Sequence, residues 1–438
     1  MQPLTTKSSP WLGIHLDRNT YAPGDTITGF VHRTTPIITI DAEVTCCLHG
    51  RASIVSGLDT RLNSKFNLLT CNERPDEIYR GPLYSLNNMV ERWPFSLKIP
   101  TCADSTTNTG STLASYMPTG AMDHQLPPTY SLYSTGVIGV FVEYFVSAKI
   151  LFYEYDGVKR VQAWHPFKLV QYSPNPPIAD FAVRVWRYPG SVRSTRLIPG
   201  RQDERGSLFS WAKRSSSRPG DPTLKFELLF GFPTRIQLDN QTPIPLRLAV
   251  FPNWDKTSEI IKNVPQKFRL LLIKVSLVTC TKVMTRHGTE KYYTKAVNLG
   301  VSNAIDNLQD EIQIPCTSSW EPIDVGKMID LRITSKGITC GWKEEQFTPS
   351  FRTYNMTVTH KLRWDIEFKV AGDTLFVKGE ANVLLLRSCD EREQSTRGLG
   401  LSEVEEDDSW IRPPPEDEAP PSFADAIVMG RRIDSQET

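Results

Sequence analysis

Apolar residues recur at every second position in this chain, and they begin to do so directly after a tight-turn sequence. In the stretch Tyr21-Ala-Pro-Gly-Asp-Thr-Ile-Thr-Gly-Phe-Val31, the triplet Pro-Gly-Asp is typical of a turn. Proline presets its own backbone angle, and glycine accepts the positive φ that other residues resist. After the turn, Ile27, Gly29 and Val31 share one face at the period of a strand. The stretch predicts two strands joined by a tight turn.

The same alternation continues through two long blocks of sequence. The 32 prolines among 438 residues disfavour long helices and favour short strands with frequent turns. We therefore predict an all-β fold of two β-sandwich domains with almost no helix. The clearest predicted strands are 93–100, 137–153, 158–170, 224–232, 245–251, 267–280, 351–369 and 374–386.

The chain is longer than a single typical core, so the pattern predicts two domains with flanking segments. We place a first sandwich at 11–172, a connector with a basic flexible insertion at 173–222, and a second sandwich at 223–388. An acidic, proline-containing tail that we expect to be disordered occupies 389–438. From Asp390 onward the net charge is −9, which leaves about +10 on the rest of a chain whose total is +1. The polar stretch 101–125 is predicted to be a mobile loop.

The chemistry-bearing residues do not form a catalytic or metal-binding pattern. The eight cysteines include no C-x-x-C pair, and the seven histidines show no metal-ligand spacing, so we expect reduced thiols, no metal and no cofactor. No nucleophile elbow or phosphate-binding loop is present, so we do not expect an enzyme. No apolar run reaches bilayer-spanning length and the chain does not open like a signal peptide, so we expect a cytosolic or peripheral protein.

Several of these motifs resemble the arrestin family, especially its fungal α-arrestin-like branch. The Tyr-Ala-Pro-Gly-Asp turn is similar to the opening of the arrestin N-terminal domain, and Trp93-Pro-Phe-Ser-Leu-Lys-Ile-Pro100 is similar to a strand of that domain that ends in proline. Thr348-Pro-Ser-Phe-Arg-Thr-Tyr-Asn-Met-Thr357 and the stretch from Asn240 to Val250 look like parts of the C-terminal domain. The resemblance covers most of residues 11–387. It implies two arrestin-type, immunoglobulin-like sandwiches joined by a hinge.

The resemblance also implies a function. Arrestin-like trafficking adaptors bind the cytosolic regions of membrane transporters or receptors and recruit a HECT-type ubiquitin ligase, which leads to ubiquitination and endocytosis of the cargo. Such a protein is cytoplasmic and is recruited peripherally to the plasma membrane or endosomes. The alternative is an arrestin-fold scaffold without ligase recruitment, such as a sorting-complex subunit or a pH-signalling arrestin. Neither function involves nucleic acid.

Two segments are candidates for binding the WW domain of such a ligase, because WW domains read proline-rich PPxY motifs in a polyproline II conformation. In the tail, Pro420 and Pro421 precede Phe423, where the family has a tyrosine. The intact motif is Pro127, Pro128 and Tyr130. The intact motif can also be interpreted as a packing motif. Pro128 and Tyr130 precede a long strand of the first block, just as Pro349 and Phe351 precede a long strand of the second block. On that interpretation the ring of Tyr130 belongs to the core.

A basic stretch is the candidate for contact with an anionic membrane surface. Between Arg184 and Arg218 there are nine Arg or Lys residues and two acidic ones, interleaved with aromatic residues. The alternative interpretation, which the composition favours, is a solvated and disordered loop. The candidate contact residues are Arg184, Arg187, Arg193, Arg196, Trp211, Lys213 and Arg214.

Overall fold

The structure is a computed structural model, and it confirms the predicted all-β sandwich fold. Residues Met1–Cys389 form one compact unit. The domain boundaries proposed above stay predictions. The residues that the structure describes are 5–8, 11–56, 63–69, 75–85, 89–103, 125–134, 138–154, 157–200, 220–284, 290–308, 310–319, 321–340 and 346–390.

The first half of the chain folds into two sheets that face each other. A three-stranded sheet has the order β1-β3-β7, and a larger sheet has the order β2-β10-β9-β4-β5, with β6 added to β4 and β8 added to β9. The strands are β1 (Gly13–Leu16), β2 (Thr20–Tyr21), β3 (Thr26–Arg33), β4 (Ile37–Ser56), β5 (Ser64–Leu69), β6 (Asp76–Ser85), β7 (Glu91–Lys98), β8 (Tyr130–Ser134), β9 (Ile138–Glu154) and β10 (Gly157–Leu169).

The Pro-Gly-Asp turn connects these two sheets. Gly24 has φ +91°, a conformation that L side chains rarely adopt. Asp25 closes the turn, because its carboxylate accepts a hydrogen bond from the Ala22 N–H at 2.9 Å. Strand β2 before the turn pairs with β10, whereas β3 after it pairs with β1 and β7. The turn is therefore where the chain passes from one layer of the sandwich to the other.

The second half forms one large sheet and a short hairpin. The large sheet has the order β11-β12-β14-β17-β15-β22-β23-β13, with β16 on β15, β18 on β14 and β21 on β22; β19 pairs with β20. The strands are β11 (Arg184–Arg193), β12 (Thr223–Phe232), β13 (Arg235–Gln237), β14 (Arg247–Pro252), β15 (Gln266–Met284), β16 (Glu290–Asn298), β17 (Gln313–Cys316), β18 (Ile323–Asp324), β19 (Ile333–Thr334), β20 (Gly337–Ile338), β21 (Phe351–Arg352), β22 (Met356–Val370) and β23 (Asp373–Leu386).

Helix is confined to short pieces in the described residues. They are α1 (Val301–Asp306), α2 (Val325–Met328) and single 3₁₀ turns at Thr195–Leu197, Trp254–Lys256 and Glu259–Ile261. The Tyr188 hydroxyl on β11 donates a hydrogen bond to the Lys378 carbonyl on β23 at 3.0 Å, which links these two strands through a side chain. Trp364 of β22 is fully buried and donates to the Tyr188 hydroxyl.

Each half has its own hydrophobic core. The second core contains only residues from Phe181 to Leu385. The first core runs from Leu12 to Leu169 but also includes residues of the second half, namely Val283, Phe351, Tyr354, Met356 and Val358. The two halves are therefore joined by shared apolar packing, which we call the seam.

The chain enters and leaves the second half at adjacent positions. The Ser173 N–H donates to the Ser388 carbonyl at 2.7 Å, and Ser173 forms a parallel bridge with Cys389. The first residues after β10 thus lie beside the last residues after β23. The crossing from the first half to the second therefore lies beside the point where the chain leaves the second half.

Two sequence predictions are wrong in part. The disordered basic loop is not found at Arg184–Arg193, which forms β11 and pairs along its whole length with β12. Regular pairing of β11 begins at Arg184, shortly after Ala182, which has φ +46°. Cys47 is disulfide-bonded rather than reduced, and its partner lies outside the described residues. The predicted mobile loop keeps its ends together through a bridge between Cys102 and Gln125, and 104–124 lie outside the described residues.

Candidate functional site

Tyr130 lies at the centre of the seam. Its side chain is buried, and its hydroxyl hydrogen-bonds Thr281 Oγ1 on β15 at 2.7 Å. Its ring packs edge-on against Phe351, with ring centroids 5.5 Å apart. Burial raises the pKa of the Tyr130 hydroxyl, and the hydrogen bond to Thr281 opposes that shift. The two aromatic residues that occupy equivalent places in the two blocks of sequence thus contact each other.

A second group of seam contacts involves the segment between β21 and β22. Asn355 Nδ2 donates to Ser64 Oγ at 3.3 Å, and Tyr354 stacks on Phe66 with ring centroids 6.2 Å apart. Thr353 Oγ1 hydrogen-bonds the Asn355 side chain, so this buried polar segment is held in one conformation. Apolar packing and the side-chain hydrogen bonds of Thr353 and Asn355 together make the seam a specific joint.

The motif Pro127-Pro-Thr-Tyr130 is part of this joint. Pro127 and Pro128 are buried, and the Pro127 carbonyl accepts a hydrogen bond from the Tyr144 hydroxyl at 2.7 Å. The Thr129 N–H donates to the Leu169 carbonyl. The structure supports the packing interpretation, since a WW domain cannot reach the Tyr130 ring while the seam is folded. The other WW candidates, Pro420, Pro421 and Phe423, lie outside the described residues.

The basic candidates on β11 are divided between two faces of the strand. Arg184 shares a face with Trp186 and Tyr188, whereas Arg187 and Arg193 point to the opposite side, because side chains alternate along a strand. All three arginines are exposed, and β11 is an edge strand that pairs only with β12.

Two of these arginines have partners on β12. Arg187 makes an ion pair with Glu227 at 3.4 Å, and Arg193 Nε donates to Thr223 Oγ1. Arg196 is half-buried beside the β22–β23 turn, where its guanidinium lies close to Gly372. Trp211, Lys213 and Arg214 lie outside the described residues. The structure therefore places no more than two of the candidate arginines of β11 on any one face.

Exposed apolar residues cover one end of the larger sheet of the first half. Ile38 lies opposite Tyr84, and Tyr153 lies opposite Val158. Ile40 is 89% exposed, although Ile37 and Thr39 beside it are buried. Thr39 Oγ1 on β4 donates to the Tyr153 carbonyl on β9. This hydrogen bond links the strand pair β4–β6 to the strand pair β9–β10. We call Ile38, Ile40, Tyr84, Tyr153 and Val158 the outer apolar face. Exposed apolar residues grouped on neighbouring strands mark candidate interaction sites.

A cleft of about 360 Å³ lies along the seam next to Tyr130. Its lining includes Lys168 of β10 and Lys295 of β16, together with the side chains of Asn19, Thr129 and Thr279. The cleft brings two cationic side chains and several hydroxyl or amide groups to the boundary of the two halves. Such a lining suits a polar, anionic partner.

One pair of residues resembles catalytic chemistry. Ser350 Oγ lies 3.0 Å from His360 Nδ1. Burial lowers the pKa of His360 to about 4, and Ser350 Oγ also accepts the Leu385 N–H. Among the described residues, no carboxylate orients this imidazole, and no group of three His, Cys, Asp or Glu residues could hold a metal. The pair acts as a structural hydrogen bond between Ser350, which directly precedes β21, and His360 of β22.

No protein-family model matches the chain, and no curated protein matches it either. In the part of the chain that the structure describes, no helix combines the length and apolarity needed to cross a bilayer.

Proposed function

We propose that the protein is an arrestin-like trafficking adaptor that binds membrane-protein cargo. The observation that carries this proposal is the outer apolar face, on a rigid β-sheet in the first half of the chain. Two isoleucines, two tyrosines and a valine exposed on four neighbouring strands form a group of apolar residues of the kind that a partner often covers. The seam supports the proposal as well, because it fixes two sandwiches into one binding scaffold.

The proposal assigns cargo binding to the outer apolar face. The test is affinity purification of the tagged full chain from detergent-solubilised membranes. Ile40→Asp should remove the membrane proteins that co-purify with the wild type, because a carboxylate would have to be buried without a partner. Phe376→Asp is the matched control, since Phe376 is 67% exposed but lies on β23. Loss of the same proteins from both variants would contradict this assignment.

In the same proposal, a HECT-type ligase is recruited through Pro420, Pro421 and Phe423, and the cargo is then ubiquitinated and internalised. We assign recruitment to the tail motif because Pro127-Pro-Thr-Tyr130 is packed in the seam. The exposed arginines of β11 would assist peripheral recruitment to an anionic membrane surface. The protein would act by binding, without catalysis of its own.

The second candidate function is an arrestin-fold scaffold that recruits no ligase. The burial of Tyr130 favours it, because the intact PPxY motif is then closed to WW domains. The tail motif has Phe423 in the tyrosine position and lacks the hydroxyl that such a domain would hydrogen-bond. A pull-down with isolated WW domains separates the two functions, since only the ligase adaptor should be retained.

A further inference from the structure

A second cleft crosses the seam on the side of β21 and β22. Its volume is about 290 Å³, which is the volume of about ten water molecules. We call it the arginine cleft. Its lining includes Gln125, Gln171, Ser350, Arg352, Thr359 and Arg387. Gln125 and Gln171 come from the first half of the chain and the other four come from the second half.

Arg387 is the main charged group of the arginine cleft. Its side chain is partly buried and makes one hydrogen bond within the described residues, to Gln125 Oε1 at 2.9 Å. No carboxylate in the described part of the chain pairs with it. Burial therefore lowers the pKa of Arg387. A guanidinium has five N–H donors in a planar fork, so most of its capacity to bind an oxyanion is unused.

Gln171 supplies an unpaired acceptor in the same cleft. Its side chain is only 4% exposed, and its Nε2 donates to the Leu126 carbonyl. This contact fixes the orientation of the amide, because the opposite orientation would place two oxygens against each other. Its Oε1 is buried and has no hydrogen-bond partner in the described residues. Buried polar atoms without a partner are rare, so each one calls for an explanation, and a bound group is one such explanation.

We propose that the arginine cleft binds an acidic peptide segment, with a carboxylate on Arg387 and a peptide N–H on Gln171 Oε1. A carboxylate fits the guanidinium fork. A simple oxyanion would leave Gln171 Oε1 unpaired, whereas an acidic residue brings its own peptide N–H. Arg352 is a further cation at the rim. The inference does not depend on the proposed function, because it involves neither the outer apolar face nor a ligase.

The test measures fluorescence anisotropy of a fluorescein-labelled hexaglutamate peptide titrated with the full chain. The labelled hexaglutamine peptide is the control for binding of the dye. Arg387→Gln should weaken hexaglutamate binding at least tenfold, which corresponds to about 1.4 kcal/mol. Arg160→Gln changes the net charge equally at an exposed position on β10, and its affinity should stay within twofold of the wild type. Equal weakening by both variants would show non-specific attraction and overturn the proposal.

A second variant tests the same site in case Arg387→Gln does not fold. Thr359 is exposed and lines the arginine cleft, so Thr359→Glu introduces a carboxylate that competes for the guanidinium without disturbing the core. It should weaken hexaglutamate binding at least fivefold at an unchanged melting temperature. Wild-type affinity in Thr359→Glu would overturn the proposal.

The role of the peptide group is tested with a backbone N-methylated hexaglutamate. This peptide keeps every carboxylate and loses the N–H donors that Gln171 Oε1 would accept. It should bind at least fivefold more weakly than hexaglutamate, and added glutarate should displace it readily. Equal affinities for the two peptides would reduce the cleft to a simple anion site and overturn the inference of a peptide ligand.

Discussion

The hydroxyl of Tyr130 lies 2.7 Å from Thr281 Oγ1, although 151 residues separate them in the chain. Tyr130 begins β8 of the first half, and Thr281 lies on β15 of the second half. Thr281 is 1% exposed, so this hydrogen bond is made in a dry part of the seam. The two halves should therefore depend on each other for stability.

Tyr130→Phe should lower the free energy of unfolding by about 1–3 kcal/mol, because the buried Thr281 hydroxyl loses this partner. Tyr130→Ala should cost more, about 3–5 kcal/mol, since it also removes a packed ring. Urea denaturation measures both changes. Tyr133→Phe is the control, because Tyr133 is more than half exposed and its hydroxyl should contribute less than about 0.5 kcal/mol. Similar losses for Tyr130→Phe and Tyr133→Phe would contradict the seam contact.

Binding of WW domains should depend on the tail and not on the seam. We expect weak binding of the full chain that Phe423→Tyr strengthens by about three- to tenfold, since one hydrogen bond contributes about 0.5–1.5 kcal/mol. Removal of 390–438 should abolish it, as measured by surface plasmon resonance. Tyr130→Ala should leave it unchanged in the folded protein. If Tyr130→Ala abolished binding at an unchanged melting temperature, the motif at 127–130 would be an exposed ligand.

The arginines of β11 should make vesicle binding sensitive to charge. The double variant Arg187→Gln/Arg193→Gln removes two cations from one exposed face. Co-sedimentation with vesicles containing phosphatidylserine should fall, and salt should weaken the binding of the wild type. Lys267→Gln/Lys274→Gln removes two exposed cations from β15 and should have a smaller effect. Equal binding to neutral and anionic vesicles would exclude an electrostatic contact.

Acidification should destabilise the protein through His360. Burial lowers the pKa of this histidine from 6.5 to about 4, so the unfolded chain binds its proton first as the pH falls. The stabilising effect is complete above pH 6.5 and is lost progressively between pH 6.5 and pH 4. The loss from this group between pH 7 and pH 5 is roughly 2 kcal/mol.

His32, His49 and His165 act in the same direction, because burial is the main cause that lowers the pKa of each. Urea denaturation at pH 7, 6 and 5 measures the combined effect. His360→Gln should flatten the dependence. A pH profile identical for wild type and His360→Gln would contradict this role.

Strand positions could be predicted where the apolar alternation is long. Predicted strands at 137–153 and 158–170 match β9 and β10 to within one residue at each end. The strand predicted at 351–369 is instead divided into β21 and β22. The division follows from a local turn, in which the Thr353 N–H donates to the Met356 carbonyl and Thr353 Oγ1 hydrogen-bonds Asn355. Side-chain hydrogen bonds of this kind compete with sheet pairing and leave no trace in the hydrophobic pattern.

The packing of Tyr130 could also be predicted, because its position before a strand repeats that of Phe351. The arginine cleft could not. Gln125, Gln171 and Arg387 line one cleft because the crossing from the first half to the second lies beside the end of the second half. Nothing in the neighbouring sequence distinguishes Arg387 from the exposed arginines of the second half. Arg387 differs from them because it is partly buried and no carboxylate of the described residues pairs with it. That environment depends on contacts between residues far apart in the sequence.

The bridge between Ser173 and Cys389 has a mechanical consequence. If the chain is pulled from its two ends, the tension passes from Ser173 to the Ser388 carbonyl and to Cys389 without running through the strands between them. The second half is shielded from load until this short clasp opens. Within the second half, a pulling force should therefore release the clasp in a small extension step before it begins to unravel the sheet from β11 and β23.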